Sequence, residues 1–269
     1  MQPRAVIFDI GNTLWFEAVR RPPPEVYALQ ARAVGPLLDE FGIAPVRPLT
    51  EIIADVWSAV EAAYDIETSR ATYRDPSIPY LWEGALAAQD IDITTEQAER
   101  IWRAAWVSPL ELGVQLYPDT LDVLRALRAH GVGLCVNTNR PCTSEMLGRD
   151  LGDVGLDGCF DALVCSGDVG FFKPHPAPFE RALELLGVDA GHVVMVGDGE
   201  RADIGGAKAL GMRTVWKLNG RYGLDPSPDA DATIHDLGEL LGLRLFEGIE
   251  HVRGGESTMP HEDANEDRY

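Results

Sequence analysis

Ala5-Val-Ile-Phe-Asp-Ile-Gly-Asn-Thr-Leu14 lies near the start of the chain and is an apolar run that ends in Asp9, followed closely by a glycine. The apolar residues before Asp9 predict a buried strand, and residues 11–13 predict a turn. A single strand leaves its backbone groups unpaired, so it must join a sheet built by later parts of the chain. The fold therefore depends on where the other strands lie.

Short apolar runs alternate with helical patterns after Tyr117-Pro118. This alternation is typical of right-handed βαβ units on a parallel sheet. We therefore predict a Rossmann-like α/β core, with the strand before Asp9 in the same parallel sheet. The predicted strands are 132–138, 161–166, 192–197 and 213–216, and the predicted helices lie near 119–130, 141–151, 176–187, 201–210 and 235–242.

The segment between the first strand and these units has a different pattern. Residues 22–42 begin with prolines and end at a glycine, and residues 50–66 show helical spacing of apolar side chains. Thr94 and Gln97 are spaced for a capping box that begins a helix over 94–107. The last residues are rich in acids and glycine and poor in apolar side chains, which is typical of disorder. We predict a core formed by residues 1–16 and 113–245, an inserted α-helical domain at 17–112, and an acidic tail at 246–269.

Composition restricts the partners. The formal net charge of −20 disfavours nucleic acid and anionic membrane surfaces, because both bind clustered Lys and Arg. The sequence has neither a secretory leader pattern nor an apolar run long enough for a membrane span, so we expect a cytoplasmic protein. Its four cysteines show no zinc-type spacing, and we expect them to be reduced and structural. The sequence does not decide between a monomer and a homodimer.

Polar residues follow four of the predicted strands. Ligands of open α/β sheets bind beyond the carboxyl ends of the strands, so these residues are candidates for one site. Each alone could equally be a turn residue, a helix cap or a solvated charge. The candidates are Asp9, Thr138 with Asn139, Lys173, and Asp198 with Asp203.

Four segments in this order resemble the motifs of the haloacid dehalogenase superfamily, phosphatase branch. They are Ala5 to Leu14, Leu134-Cys-Val-Asn-Thr138 with Asn139, Ser166-Gly-Asp-Val-Gly-Phe-Phe-Lys-Pro174, and Val196-Gly-Asp-Gly-Glu-Arg-Ala-Asp203 with the helix up to Met212. The resemblance covers about two thirds of the chain, most specifically residues 4–16 and 116–216. It implies that the helical insert is a cap over the active site.

The resemblance also implies a reaction and a role for each candidate. Asp9 would be the nucleophile that forms an aspartyl-phosphate from a small phosphorylated metabolite, with Thr138 and Lys173 as the other catalytic residues. Three carboxylates at one sheet edge would repel each other by about 3 kcal/mol per pair at about 5 Å, so a cation is needed, and Mg²⁺ suits oxygen ligands. The implied phosphate-binding residues are Thr138, Asn139, Lys173 and Asn12; the implied Mg²⁺ ligands are Asp9, the Gly11 backbone carbonyl and Asp198, with Asp203 orienting bound water.

Position 11 departs from the family pattern. Phosphatases of the superfamily usually carry a general acid–base aspartate there, and its help is worth about 10²- to 10⁴-fold. With Gly11, three hypotheses stay open: a phosphatase with its acid elsewhere or an undemanding leaving group, a haloacid-type dehalogenase in which Asp9 attacks carbon, and a non-catalytic phospho-ligand binding protein. A phosphonate-cleaving enzyme is excluded, because residues 17–112 contain no lysine for a Schiff base.

The insert and its surroundings offer a few further candidates. Glu17 is a weak candidate for the missing acid because it is close to Asp9 in sequence. Arg70 and Arg74, in the polar stretch 69–75, could face an anionic part of the substrate. Arg140 follows Asn139 and could either serve the site or pair with Asp168. The sequence does not identify the substrate.

Overall fold

A six-stranded parallel sheet forms the centre of the molecule. The structure is a computed structural model that describes residues 2–218 and 229–247. The strand order β5-β4-β1-β6-β7-β8 places β1 between β4 and β6, which confirms the α/β class. Its strands are β1 (Ala5–Phe8), β4 (Gly133–Thr138), β5 (Ala162–Cys165), β6 (Val193–Gly197), β7 (Arg213–Lys217) and β8 (Ala232–Ile234). The described residues also form β2 (Trp15–Glu17) and β3 (Val114–Leu116).

Helices cover both faces of this sheet, which is why its central strands are apolar at successive positions. Val6 and Phe8 of β1 belong to one apolar cluster, and Ala5 and Ile7 belong to the cluster on the opposite face. The core helices are α5 (Thr120–Ala129), α6 (Ser144–Asp153), α7 (Ser166–Val169), α8 (Pro176–Leu186), a π-helix (Glu200–Gly205), α9 (Gly206–Ala209) and the 3₁₀ helices Ala190–His192, Leu237–Gly242 and Arg244–Phe246.

The helical insert has an apolar core of its own. Its third cluster includes Val34, Ile52, Trp82 and Ile101, each at most 2% exposed. The capping box at Thr94 and Gln97 forms with both of its hydrogen bonds. The helices are α1 (Pro23–Glu40), α2 (Leu49–Ser69), α3 (Ile78–Ala87) and α4 (Thr95–Ala105). We call this segment the cap.

The two connections between core and cap pair with each other. β2 and β3 form an antiparallel ladder in which Glu17 faces Val114. The domain boundary expected at 16/17 therefore lies within β2, and the one expected at 112/113 lies just before β3. Neither strand was predicted, because three residues are too few for a periodic pattern.

The start of the acidic tail expected at residues 246–269 was wrong by at least one residue. Phe246, the first apolar residue of the expected tail, is fully buried in the core, and the rest of that tail from residue 248 lies outside the described residues. All four cysteines are free thiols, and three of them are buried. In the parts that the structure describes, none of the helices is both long and apolar enough to span a bilayer.

Candidate active site at the carboxyl edge of the sheet

The topology brings the polar strand ends together. Asp9 follows β1, and its backbone N–H donates to Val196 of β6 over 2.9 Å. Asp198 follows β6 directly, and Asp203 lies in the π-helix behind it. One carboxylate oxygen from each of these three acids lies within 4.8 Å of the other two. Beyond the carboxyl ends of central parallel strands, the fold thus concentrates three negative charges.

Lys173 supplies the counter-charge. Its Nζ donates to Asp9 Oδ1 (2.9 Å), to Asp203 Oδ1 (2.6 Å) and to the Asn137 carbonyl (2.6 Å). All three Lys173 N–H donors are therefore satisfied, and the residue is only 2% exposed. Burial by itself lowers the pKa of Lys173, but the charges of Asp203 and Asp9 more than reverse this and raise it. The side chain is a fixed cation beside the candidate nucleophile.

Asp203 is held on its other oxygen as well. Its Oδ2 accepts from the Gly199 N–H over 2.9 Å. A Cβ at position 197 would lie 2.3 Å from that same oxygen, so a glycine is required for this close approach. Burial raises the pKa of Asp203 although the Lys173 charge opposes it. Both oxygens of Asp203 are thus engaged within the protein, by Lys173 and by Gly199. The role of Asp203 in orienting bound water stays a prediction.

Asp198 is the more accessible acid. Asn12 Nδ2 donates to its Oδ2 over 3.2 Å, so Asn12 contacts this carboxylate, and its phosphate-binding role stays a prediction. Asn12 adopts a left-handed backbone with φ of 56°, a conformation that asparagine tolerates better than most residues. Burial, followed by the charge of Asp9, raises the pKa of Asp198 to about 6.

The second motif positions Lys173 through Asn139. The Asn139 side chain accepts from the Lys173 N–H (2.7 Å) and donates to the Lys173 carbonyl (2.9 Å). Both amide functions of Asn139 are thus engaged with the backbone of Lys173. Thr138 is the last residue of β4 and is 4% exposed. It lies on the strand next to β1, and its contact with a phosphoryl group stays a prediction.

The first motif has open space at position 11. A Cβ built on Gly11 would meet no atom within 4 Å. Thr13, which is fully buried, donates its hydroxyl to Asp9 Oδ2 over 3.4 Å. An aspartate at position 11 would therefore meet no steric obstacle at its Cβ, and the missing acid reflects the residue type and not the shape of the loop.

The donor set fits a divalent cation that prefers oxygen. The cluster offers carboxylate oxygens without thiol or imidazole, which is the ligand chemistry of magnesium-type ions. Lys173 balances one of three carboxylate charges. Burial and then the charge of Asp9 raise the pKa of Asp198, so a cation or a proton at this carboxylate is favoured.

Arg140 pairs with Asp150, so the alternative partner Asp168 was wrong. Its Nη2 donates to Asp150 Oδ2 over 2.9 Å, and its guanidinium lies over the rings of Trp15 and Trp106. Asp168 instead accepts from the Ser144 N–H. The sequence could not distinguish the two acids, because either lies within reach along the chain.

Arg140 and Glu17 both line a cavity of about 430 Å³ between the cap and its connections. Arg70 and Arg74 are exposed, and the backbone N–H of Arg74 donates to Glu67. The tyrosine between them, Tyr73, contacts the core instead. Sequence reasoning selects the arginines of this stretch by their charge. It misses Tyr73, because no local pattern shows that this side chain contacts the core.

Lys217 is a second buried lysine, which the sequence patterns do not reveal. It lies at the end of β7, is 1% exposed, and is 3.6 Å from the centre of the Tyr117 ring and 3.5 Å from the Asn12 carbonyl oxygen. Burial lowers its pKa. The apolar run that predicts β7 stops at residue 216 and gives no sign that the lysine turns inward.

These features define an α/β protein with a carboxylate–lysine site at a sheet edge and a helical insert beside it. A family model described as haloacid dehalogenase-like hydrolase matches residues 3–211. The chain therefore belongs to the haloacid dehalogenase-like hydrolase family.

Individual relatives agree with this assignment. The chain is 29% identical to a phosphoserine phosphatase of Thermus thermophilus, with 88% of this chain and 90% of that one covered. It is 32% identical to a phosphoglycolate phosphatase of Rhodospirillum rubrum, with 90% and 92% covered. The crystal structure of a 2-haloacid dehalogenase from Pseudomonas syringae matches with a TM-score of 0.61 at 28% identity, covering 90% of this chain and 97% of that one.

Proposed function

We propose that the protein is a magnesium-dependent phosphomonoester hydrolase that acts on a small phosphorylated metabolite through an aspartyl-phosphate at Asp9. The observation that carries the proposal is the Lys173 amino group, which joins Asp9 and Asp203 while Asp198 completes the acid cluster. Relatives similar over most of their length are phosphatases of phosphoserine and phosphoglycolate, which supports a small phosphorylated substrate.

In the first half-reaction, Asp9 attacks phosphorus, and the bond between phosphorus and the ester oxygen breaks. Lys173 orients Asp9 through its hydrogen bond to Oδ1, and it offsets charge on the phosphoryl oxygens. Thr138 would hold the phosphoryl group, in accordance with the family resemblance. Gly11 offers no proton, so the leaving oxygen takes one from water or from another side chain.

In the second half-reaction, water attacks phosphorus and gives up a proton to solvent, the bond between phosphorus and the Asp9 oxygen breaks, inorganic phosphate leaves, and the Asp9 carboxylate is regenerated. Splitting the displacement in this way replaces one difficult step by two easier ones. Asp9, Asp198 and the Gly11 carbonyl would hold Mg²⁺, which when bound neutralises the phosphoryl oxygens and the acid cluster.

A screen of phosphate esters with the purified protein tests this proposal. Phosphate release should require magnesium, stop in EDTA, and be absent in Asp9→Asn. The matched control is Asp161→Asn, which changes an acid of the core outside the cluster. Phosphate release that continues undiminished in EDTA, or in Asp9→Asn, would contradict the proposed mechanism.

A haloacid-type dehalogenase is the second candidate, and the similarity to the Pseudomonas syringae structure favours it. Attack on carbon needs neither Asp198 nor magnesium, and the clustered acids therefore speak for phosphoryl transfer. Halide release from 2-haloacids in EDTA, without phosphate release from any ester, would favour the dehalogenase. Tight binding of a phosphorylated ligand without turnover would indicate the non-catalytic alternative.

A further inference from the structure

A short segment of the cap pairs with the loop that leads to Lys173. The Asp75 N–H donates to the Gly170 carbonyl (3.0 Å), and the Phe172 N–H donates to the Tyr73 carbonyl (2.9 Å). Arg74 and Phe171 form an antiparallel bridge between these two hydrogen bonds. We call residues 73–75 the docking segment. It ends its contact one residue before Lys173.

Aromatic rings extend this contact. The Phe172 ring lies edge-on to Tyr64 (centroids 4.9 Å apart) and to Tyr73 (5.5 Å). Both tyrosines belong to the cap, and Phe172 itself is 6% exposed. The Tyr64 hydroxyl donates to Asp75 Oδ2 over 3.1 Å, which ties the docking segment to α2.

Tyr73 also reaches the acidic motif. Arg201 donates a hydrogen bond to the Tyr73 hydroxyl, and its guanidinium lies 5.4 Å from the centre of the Tyr73 ring. Arg201 is in the π-helix that carries Asp203. One cap side chain therefore contacts both core segments that supply the partners of the buried Lys173–Asp203 pair.

We propose that Tyr73 is a positioning residue, whose docking fixes the Lys173 loop and the Asp203 helix in the arrangement needed for phosphoryl transfer. Asn139 holds the Lys173 backbone, and the docking segment holds the backbone of Gly170 and Phe172 just before it. A misplacement of about 1 Å at such a site can cost about 10²-fold in rate. This inference rests on the proposed function, and it gives the cap a part in the chemistry itself.

Three variants test the proposal by steady-state kinetics on one phosphate ester. Tyr73→Ala should lower kcat about 10- to 100-fold and change KM by less than about 3-fold, because it affects the transition state more than substrate binding. Tyr73→Phe keeps the ring and should retain most of the activity. Tyr80→Ala, which removes a 70% exposed tyrosine of the same cap, should match the wild type.

The outcomes test the positioning role of Tyr73 separately from the proposed function. If Tyr73→Ala raises KM and leaves kcat within about 2-fold, Tyr73 serves substrate binding and the proposal is overturned. If the wild type releases no phosphate from any ester, the proposed function fails, and calorimetry of inorganic phosphate with magnesium then decides on Tyr73. Phosphate affinity at least about 5-fold weaker in Tyr73→Ala than in Tyr80→Ala supports the positioning role, and equal affinities reject it.

Discussion

One amino group organises the charges of this site. Lys173 Nζ serves two carboxylates and a backbone carbonyl inside the protein, and the pair with Asp203 is almost completely buried. Buried pairs of this kind add little net stability compared with apolar residues, but removing one partner leaves an uncompensated charge. Replacing one charged side chain of this site should therefore change the stability of the protein as well as its activity.

Lys173→Met should lower the free energy of unfolding by about 3 kcal/mol at pH 7, because Asp203 loses its partner. Urea unfolding measures this loss. Adding Asp203→Asn should recover much of the lost stability without restoring activity. Lys208→Met breaks a half-exposed pair with Asp231 and should cost about 1 kcal/mol or less. Equal losses of unfolding free energy in Lys173→Met and Lys208→Met would show that leaving the buried Asp203 without its partner costs no more than breaking an ion pair at the surface.

Gly11 should make the rate depend steeply on the leaving group. Without an acid at this position, charge on the departing oxygen must be borne by the substrate, so an aryl phosphate, whose phenol has a pKa of about 10, should react much faster than an alkyl phosphate. Because position 11 has space for a Cβ, Gly11→Asp should raise alkyl phosphate turnover about 10²-fold.

Gly11→Ala is the matched control, since it adds the Cβ without the carboxyl and should leave the ratio of the two rates unchanged. Stopped-flow or steady-state phosphate release measures both rates. Similar wild-type rates on aryl and alkyl esters would mean that another group already delivers the proton.

At the scale of elements, the sequence predicts the parts whose signal is local. The central strands are buried on both faces and therefore appear as apolar runs, and the polar residues beyond these runs, taken together with the order of the four motifs, point to Asp9, Asp198 and Lys173. Contacts between distant segments have no such signal. Tyr73 and Phe172 lie about a hundred residues apart, and neither the three-residue strands β2 and β3 nor helix α3 carries a periodic pattern that would stand out.

The docking segment should respond to pH through Asp75. Burial raises the pKa of this carboxyl from its ordinary value near 3.8 to about 6. Folding then disfavours the ionised form, so ionisation of Asp75 lowers the free energy of unfolding. This loss is almost absent below about pH 4, grows as the pH rises to 6, and reaches about 3 kcal/mol above that. Asp75→Asn, which can still accept from Tyr64, should raise the unfolding free energy by about 1–3 kcal/mol at pH 7.5 and change it little at pH 4.

Denaturant titrations of both proteins at the two pH values check this sign. A variant that is destabilised at pH 7.5, or that has the same advantage at pH 4, would show that burial does not raise the pKa of the Asp75 carboxyl.

At the scale of the whole molecule, a chain with a net charge of −20 gathers three of its acids at one edge. A cation that binds the folded state and not the unfolded chain stabilises the former, by about 2.7 kcal/mol at a hundredfold excess over Kd. Magnesium should therefore raise Tm by about 5 °C. Asp198→Asn should abolish this rise, and sodium chloride of equal ionic strength serves as the control for general screening. An equal rise in both proteins would indicate screening alone.

The position of β1 at the centre of the sheet has a consequence for biosynthesis. Ala5 pairs with Gly133 on one side and with Val193 on the other, so the earliest strand to leave the ribosome is among the last to be completed. At about 5–20 residues per second, synthesis from residue 5 to residue 193 takes about 10–40 s. The cap, whose apolar core lies within residues 34–105, has all of its own sequence well before then, while the apolar strand that precedes the nucleophile lacks at least one of its two neighbours. We expect nascent chains of this protein to engage chaperones through residues 5–8 until β6 emerges.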